Sequence, residues 1–184
     1  MLSLAGCADD SPPGIPPVHE VDLPRFMGDW YVIAHIPTRL ERHAYDAVES
    51  YVLDPDGRVA TTFRYRNNSF TAPVKTLKPI ATVRAGTGNA VWGMQFIWPI
   101  KAEYVVVYLD EDYSQTIIGR SARDYVWIMA RTPTISAADY AAHLRRLAQL
   151  GYDVQRVRRV PQGGDPSATP QAAIGRTDSA PASR

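Results

Sequence analysis

Short apolar runs alternate with polar turns along most of this chain. The runs are rich in β-branched and aromatic residues, which favour strands, and turn signals separate them. The stretch Asp54-Pro55-Asp56-Gly57 is typical of a hairpin turn, because proline presets φ and glycine accepts a positive φ. The pattern predicts eight strands, at residues 30–36, 48–53, 58–66, 75–84, 90–97, 104–109, 115–119 and 125–131.

One helix is predicted after the last strand. Ser136 can cap its first turn, with Asp139 three residues on in capping-box spacing, and Gly151 stands where a left-handed C-terminal residue would end it. The apolar positions of this helix lie on one face, which comprises Tyr140, Leu144, Leu147 and Ala148. The helix is therefore amphipathic and is expected to lie against a sheet.

The order of these elements predicts the fold class. Many strands followed by one late helix favour a closed barrel over a sandwich, because closure removes edge strands that would template aggregation. We predict an all-β protein, an eight-stranded antiparallel up-and-down barrel with one C-terminal helix on its wall. An interior of eight strands is wide enough for side chains or one slim ligand.

Composition divides the chain into four segments. Residues 8–20 contain four prolines and little that can be buried, so they are interpreted as a linker. Residues 161–184 consist largely of small and polar residues and are predicted to be disordered, because they cannot bury enough surface to offset their ordering entropy. The barrel and helix occupy residues 21–160, and residues 1–7 are interpreted as the remnant of a lipoprotein signal.

Charge and cysteine content exclude several classes of function. The net charge of +1 across 184 residues provides no strong field for nucleic acid. The single cysteine, Cys7, excludes an internal disulfide and a thiolate zinc site. No stretch of eighteen apolar residues is present to span a membrane. We predict no cofactor, no metal site and no catalytic residue, because the histidines and acidic residues form no recognisable constellation.

The position of Cys7 is informative. It follows Leu4-Ala5-Gly6, and this tetrapeptide resembles the lipobox at which bacterial lipoproteins are cleaved before their cysteine is acylated. The resemblance implies lipidation of Cys7 and attachment to a membrane. Because Ala8 follows the cysteine, the expected destination is the cell outer membrane, at its periplasmic face.

Three further motifs resemble those of the lipocalin family. Residues 28–34 read Gly-Asp-Trp-Tyr-Val-Ile-Ala and match the longer form of the family's first motif, with Gly28 and Trp30 in their usual places. Asp110 and Tyr113 match the family's second motif, although Leu109 replaces its usual threonine. Residues 123–133 resemble the third motif, whose arginine corresponds to Arg131, and the resemblance places Arg131 over Trp30 in a cation–π contact at the closed end of the barrel.

The lipocalin resemblance implies a cup with one open mouth, an apolar cavity and no chemistry. The similar bacterial outer-membrane lipoproteins imply a fatty acid or a lysophospholipid as partner. On the fifth predicted strand, alternation points one face inward, whereas both faces of the sixth are apolar, so periodicity alone does not orient it. The candidate ligand-binding residues are Trp92, Met94, Phe96, Tyr104, Val106, Tyr108, Tyr125 and Trp127.

Loop 37–43 is expected to border the mouth, where Arg39, Arg42 and His43 could meet a phosphate or carboxylate. Two other functions stay open at this point. One is an enzyme acting on a hydrophobic substrate, which a cavity carboxylate or histidine with a perturbed pKa would support. The other is a haem-binding or structural barrel of the cell envelope. A homodimer is also left open.

Overall fold

The computed structural model describes residues 14–97 and 100–163, without the side chains of residues 96, 97 and 100. Cys7 and most of the predicted C-terminal tail lie outside the described residues. The described residues form two α-helices, α1 (Leu23–Phe26) and α2 (Ala137–Gln149), and a 3₁₀ turn (Val154–Arg156) follows α2. The strands are β1 (Gly28–Ile36), β2 (Ala44–Leu53), β3 (Arg58–Asn67), β4 (Val74–Leu77), β5 (Ile80–Val83), β6 (Val91–Ile97), β7 (Ile100–Leu109), β8 (Gln115–Gly119), β9 (Val126–Ala130) and β10 (Arg158–Arg159).

The strands form a closed antiparallel barrel. Neighbours along the sheet follow the order β1-β2-β3-β5-β6-β7-β8-β9, and β9 pairs back onto β1. Strands β4 and β5 both pair with β3 and together act as one barrel strand, while β10 adds two residues beside β1. The predicted eight-stranded barrel is confirmed. No helix in the described part of the chain is long and apolar enough to span a bilayer.

The predicted strand at residues 75–84 is divided in two. Proline has no backbone N–H to donate to a ladder, so the pairing is interrupted at Pro79. Its carbonyl instead accepts a hydrogen bond from the Thr61 amide (3.0 Å). The division therefore follows from one residue and leaves the barrel closed.

The closed end of the barrel is built around Trp30. Helix α1 crosses this end and inserts Phe26, whose carbonyl accepts a hydrogen bond from Trp30 Nε1 (2.8 Å). The Arg131 guanidinium lies 3.8 Å from the centroid of the Trp30 ring, as the motifs predicted. It also donates to the carbonyls of Asp29 and Phe26. Gly28 enters β1 with φ +94°, a conformation that favours glycine.

Helix α2 begins as predicted but packs through a slightly different face. The Ser136 side chain accepts a hydrogen bond from the Asp139 amide, and Leu147 is fully buried. Ala148 is exposed, and His143 takes its place in the interface, where Nε2 lies 2.7 Å from Gln115 Oε1. The helix therefore covers one wall of the barrel and leaves its interior free.

Packed residues extend beyond the expected domain on both sides. Ile15 is buried against the outer wall, and the Val18 amide donates to the Val106 carbonyl (2.8 Å). At the other end, the Gln162 side chain is buried and donates to the carbonyls of Val32 and Ala47. The packed domain therefore extends from Ile15 to Gln162.

Candidate functional site

Phe26, Trp30 and Trp92 pack together at the closed end of the barrel and form an aromatic plug. A cavity of about 180 Å³ lies inside the barrel, on the side of this plug away from α1. Its wall combines apolar and aromatic side chains with several carboxyl and hydroxyl groups. The described residues that line it are Thr38, Glu41, Glu49, Thr61, Phe63, Pro79, Met94, Ala102, Glu103, Tyr104, Arg120, Tyr125 and Trp127.

Four of the eight candidate ligand-binding residues lie on this wall, namely Met94, Tyr104, Tyr125 and Trp127. Trp92 and Val106 are buried deeper in the same core cluster. Trp92 belongs to the plug, where it packs edge-on against Phe26 (5.4 Å between ring centroids). The side chain of Phe96 lies outside the described residues. Ligand binding by these residues stays a prediction.

The inward placement of Tyr108 is wrong. Its ring packs on the outer wall beneath α2, 5.3 Å from the His143 ring and under the Arg146 guanidinium. The cause is a bulge, because the pairing of β7 with β8 shifts register between Val106 and Tyr108. A shift of one residue moves a side chain to the opposite face of a sheet. Tyr108 therefore helps to seat the helix.

The floor of the cavity is a buried polar network. Glu49 and Tyr51 come from β2, and Tyr104 comes from β7, which lies opposite β2 across the barrel. The Tyr51 hydroxyl donates to Glu49 Oε2 and also contacts the Tyr104 hydroxyl. Beneath the network, the Tyr51 ring packs against Phe26 (5.7 Å). The interior of the barrel is therefore polar where the cavity ends.

Burial shifts the ionisation of this network. It raises the pKa of Glu49 from 4.5 to about 7, an increase that the hydrogen bond from Tyr51 reduces and the nearby charge of Glu41 enlarges. Burial also raises the pKa of Tyr51 and Tyr104 well above their ordinary values, so both hydroxyls keep their protons. Near neutral pH, Glu49 is poised between its neutral and charged forms.

A second carboxyl enters the cavity from loop 37–43. Glu41 is 5% exposed, and its Oε2 accepts a hydrogen bond from Trp127 Nε1 (3.0 Å). His35 Nδ1 lies 3.7 Å from the same oxygen. The cations predicted for this loop do not line the cavity: Arg39, Arg42 and His43 are exposed. The loop therefore points its carboxyl group into the barrel and its basic side chains towards solvent.

Two further polar groups on the wall lack partners among the described residues. Thr61 is 3% exposed, and its hydroxyl makes no hydrogen bond within that part of the chain. The same holds for Nε of Arg120, whose Nη1 donates to Asp124 (3.0 Å) and whose guanidinium lies over the Tyr125 ring. Within the described residues, no group of three or more metal-ligating side chains could hold an ion.

Sequence reasoning missed both Glu49 and Thr61, although a signal for each was present. Side chains two positions apart on a strand share a face. Ala47 and Tyr51 flank Glu49 at that spacing and are buried, and Phe63 bears the same relation to Thr61. Extending the alternation of β2 and β3 would have pointed both polar residues into the barrel.

Comparisons with known proteins agree with this geometry. The family model described as a Lipocalin-like domain matches residues 21–162. Outer membrane lipoprotein Blc from Citrobacter freundii is 30% identical over 162 residues, covering 88% of this chain and 91% of the relative. Temperature-induced lipocalin-1 from Arabidopsis thaliana is 28% identical over 159 residues, covering 81% and 83%.

Solved structures share the fold at lower identity. Insecticyanin from the tobacco hornworm Manduca sexta superposes with a TM-score of 0.65 at 15% identity, covering 85% of this chain and 87% of that one. The allergen Per a 4 from cockroaches has a TM-score of 0.63 at 18% identity, covering 84% and 96%. The chain belongs to the lipocalin family, and it is of the type represented by the Blc outer membrane lipoproteins.

Proposed function

We propose that this lipocalin binds one single-chain lipid, a fatty acid or a lysophospholipid, and holds or carries it within the bacterial cell envelope. The observation that carries the proposal is the cavity enclosed by the barrel and walled by Phe63, Met94 and Trp127. Membership of the family supports its broader part, the binding of a small hydrophobic ligand. Apolar walls with a few polar groups are typical of such sites.

The size of the cavity suits one chain. One water-sized group occupies about 10–15 Å³ of such a cavity, so 180 Å³ accommodates roughly a dozen of them. A dozen buried methylenes contribute about 10 kcal/mol before the costs of association are subtracted. With about 4 kcal/mol lost to association, the remainder corresponds to a Kd on the order of tens of micromolar. A lipid with two chains has no room for the second.

Cations near the mouth support a polar headgroup at the open end. Arg120 lines the cavity with an unpartnered Nε among the described residues. Arg39 and Arg42 are exposed on loop 37–43. An anionic headgroup placed there would stay hydrated while its chain is buried, so these cations would orient the ligand more than they would strengthen binding.

The proposal includes attachment to the outer membrane through Cys7. The Blc relatives are named outer membrane lipoproteins, and the tetrapeptide before Cys7 resembles a lipobox. Acylation with two or more chains anchors a protein stably, whereas one chain does not. A barrel tethered in this way at the periplasmic face would be close to lipids that leave the same leaflet. A homodimer would be compatible with this arrangement.

One observation favours the alternative of an enzyme. Glu49 is a cavity carboxyl whose pKa is raised to about 7, which suits a general acid or base. A long incubation of the protein with a bound lipid, followed by mass analysis of the extracted ligand, separates the two functions. The carrier proposal expects the ligand to be recovered unchanged, whereas an altered ligand would indicate turnover.

The test of the proposed function is calorimetric titration of the full, delipidated chain with palmitate, a lysophospholipid and a diacyl phospholipid. Single-chain ligands are expected to saturate at one per barrel, and the two-chain lipid to bind poorly. Ala102→Trp would fill the cavity and abolish binding, while Ala138→Trp, at an exposed position of α2, serves as the matched control. Saturable binding that survives Ala102→Trp would contradict the cavity as the site.

A further inference from the structure

The hydroxyl protons of the cavity floor are already used within its network. Each tyrosine hydroxyl has one proton to donate. Tyr51 donates its proton to Glu49, so the contact between the two tyrosine hydroxyls requires Tyr104 to donate to Tyr51. The direction of the chain is therefore Tyr104 to Tyr51 to Glu49. When Glu49 is ionised, the network has no proton left to offer a ligand.

Two groups remain available, an oxygen of Glu49 that only accepts when ionised and the Thr61 hydroxyl, which can accept or donate. Tyr51 engages one oxygen of Glu49, Oε2, and no partner among the described residues occupies the other. The Thr61 hydroxyl is buried, lines the same cavity and has no partner in the described part of the chain. Thr61 lies directly opposite Tyr51 in the pairing of β2 with β3, and Glu49 lies opposite Phe63. The unused groups of Glu49 and Thr61 are therefore on neighbouring strands of one wall.

The charged groups of the cavity also disfavour an anion at its floor. Within its described lining, Glu41 and Glu49 place carboxyl groups inside the barrel, Arg120 is the one cation, and the carboxylate of Glu103 lies on the outer face of β7. Glu103 accepts hydrogen bonds from Ser121, and Arg120 donates to Asp124, so both are held at one side of the mouth. No cation among these residues neutralises the floor. An anion placed at the floor would face the charge of ionised Glu49 without a cation to offset it.

We propose that the floor of the cavity receives a hydrogen-bond donor, a hydroxyl or a primary ammonium group, carried on the inner end of the apolar ligand. Glu49 and Thr61 accept from it, and a carboxylate is rejected from the same position. This inference rests on the proposed function and deepens it by naming the chemistry of the ligand's inner end. Glu49 is thereby a specificity-determining residue.

The preference of the cavity floor for a hydrogen-bond donor over a carboxylate depends on pH. The groups that face Glu49 are Tyr51 on its own strand, Tyr104 from β7 and Glu41 from loop 37–43, with His35 of β1 behind Glu41. Above pH 7 the Glu49 carboxylate attracts an ammonium and accepts from a hydroxyl. Below pH 7 the protonated carboxyl can itself donate, so a ligand carboxylate is tolerated better. The discrimination should therefore rise from pH 6 to pH 8.

The experiment is calorimetric titration of the full chain with three probes of equal length, dodecylamine, 1-dodecanol and dodecanoate, each below its micellar concentration. At pH 8 the amine and the alcohol are expected to bind at least tenfold more tightly than dodecanoate. At pH 6 this difference in affinity should be smaller. Glu49→Gln should reduce that preference to about threefold or less. Thr61→Val, which keeps the volume of the side chain, should raise the Kd of the alcohol severalfold and leave the Kd of dodecanoate unchanged.

Equal affinity for the three probes, or a preference that survives both substitutions, would overturn the inference while leaving the proposed function intact. If none of the probes binds, the proposed function fails and the inference fails with it. A thermal melt of each variant establishes that it is folded, and should Glu49→Gln not fold, Thr61→Val alone decides between the outcomes. Leu40→Gln, on an exposed position outside the cavity, is the control for an unrelated polar change.

Discussion

The buried carboxyl of Glu49 makes the stability of the barrel depend on pH. Its pKa is about 7 in the folded protein and about 4.5 when exposed. Between these values the native state holds a proton that the unfolded chain has released, so stability falls as pH rises. The contribution of the neutral carboxyl is complete below pH 4.5 and lost above pH 7. Because one pKa unit corresponds to about 1.4 kcal/mol, the loss across this window is about 3 kcal/mol.

Glu49→Gln isolates this effect. Glutamine keeps the shape of the side chain and does not titrate, so every other titrating group is common to the two proteins. The free energy of unfolding, measured by urea at pH 4.5, 6, 7 and 8, should show the native protein losing about 3 kcal/mol relative to the variant. Glu111→Gln, at an exposed carboxylate, should show no such relative change.

Tyr51→Phe sharpens the test. It removes the hydrogen bond that lowers the Glu49 pKa, so the midpoint of the loss should move to higher pH. The reasoning would be refuted if the difference between the native protein and Glu49→Gln stayed constant, within about 0.5 kcal/mol, over the whole pH range. Such a result would mean that Glu49 is as well solvated in the folded protein as in the unfolded chain.

Three further predictions concern the barrel and its anchor. Trp30→Ala should lower the free energy of unfolding by about 3–5 kcal/mol, because it empties the plug and removes the ring under Arg131; a melt unchanged from the native protein would contradict this. Gln162→Ala should cost about 1–3 kcal/mol by urea unfolding, because it leaves two buried carbonyls without their donor, and no loss of stability would show that water replaces the amide. Cys7→Ser, expressed with a complete lipoprotein signal, should abolish acylation and release the protein from membranes in fractionation; continued membrane attachment would count against the anchor.

Much of the architecture could be predicted from the sequence because it depends on local interactions. Hairpin turns such as that at Gly57, the Ser136 cap and the recurrence of β-rich runs act over a few residues. Trp30 and Arg131 could be paired only through the resemblance of their motifs, since 100 residues of chain lie between these two positions. The register that brings them together is a property of the closed barrel.

The cavity floor was decided by the tertiary structure. Glu49 and Tyr104 lie on strands at opposite sides of the barrel, and only closure brings their side chains to one network. Tyr108 was misplaced because a bulge in β7 has no dependable sequence signal in a run where both faces are apolar. The predicted apolar face of the helix did not include His143, whose burial depends on where the helix meets Gln115 of β8.

What the sequence determines and what the tertiary structure determines therefore differ in the distance over which the interactions act. Propensity, capping and alternation determine which segments become strands and helix, because each is settled between near neighbours in the chain. The burial of Glu49 and Thr61, the shift of a carboxyl pKa towards neutrality and the acceptor character of the floor depend on which walls face each other. Those properties exist only once the barrel has closed and excluded water from its interior.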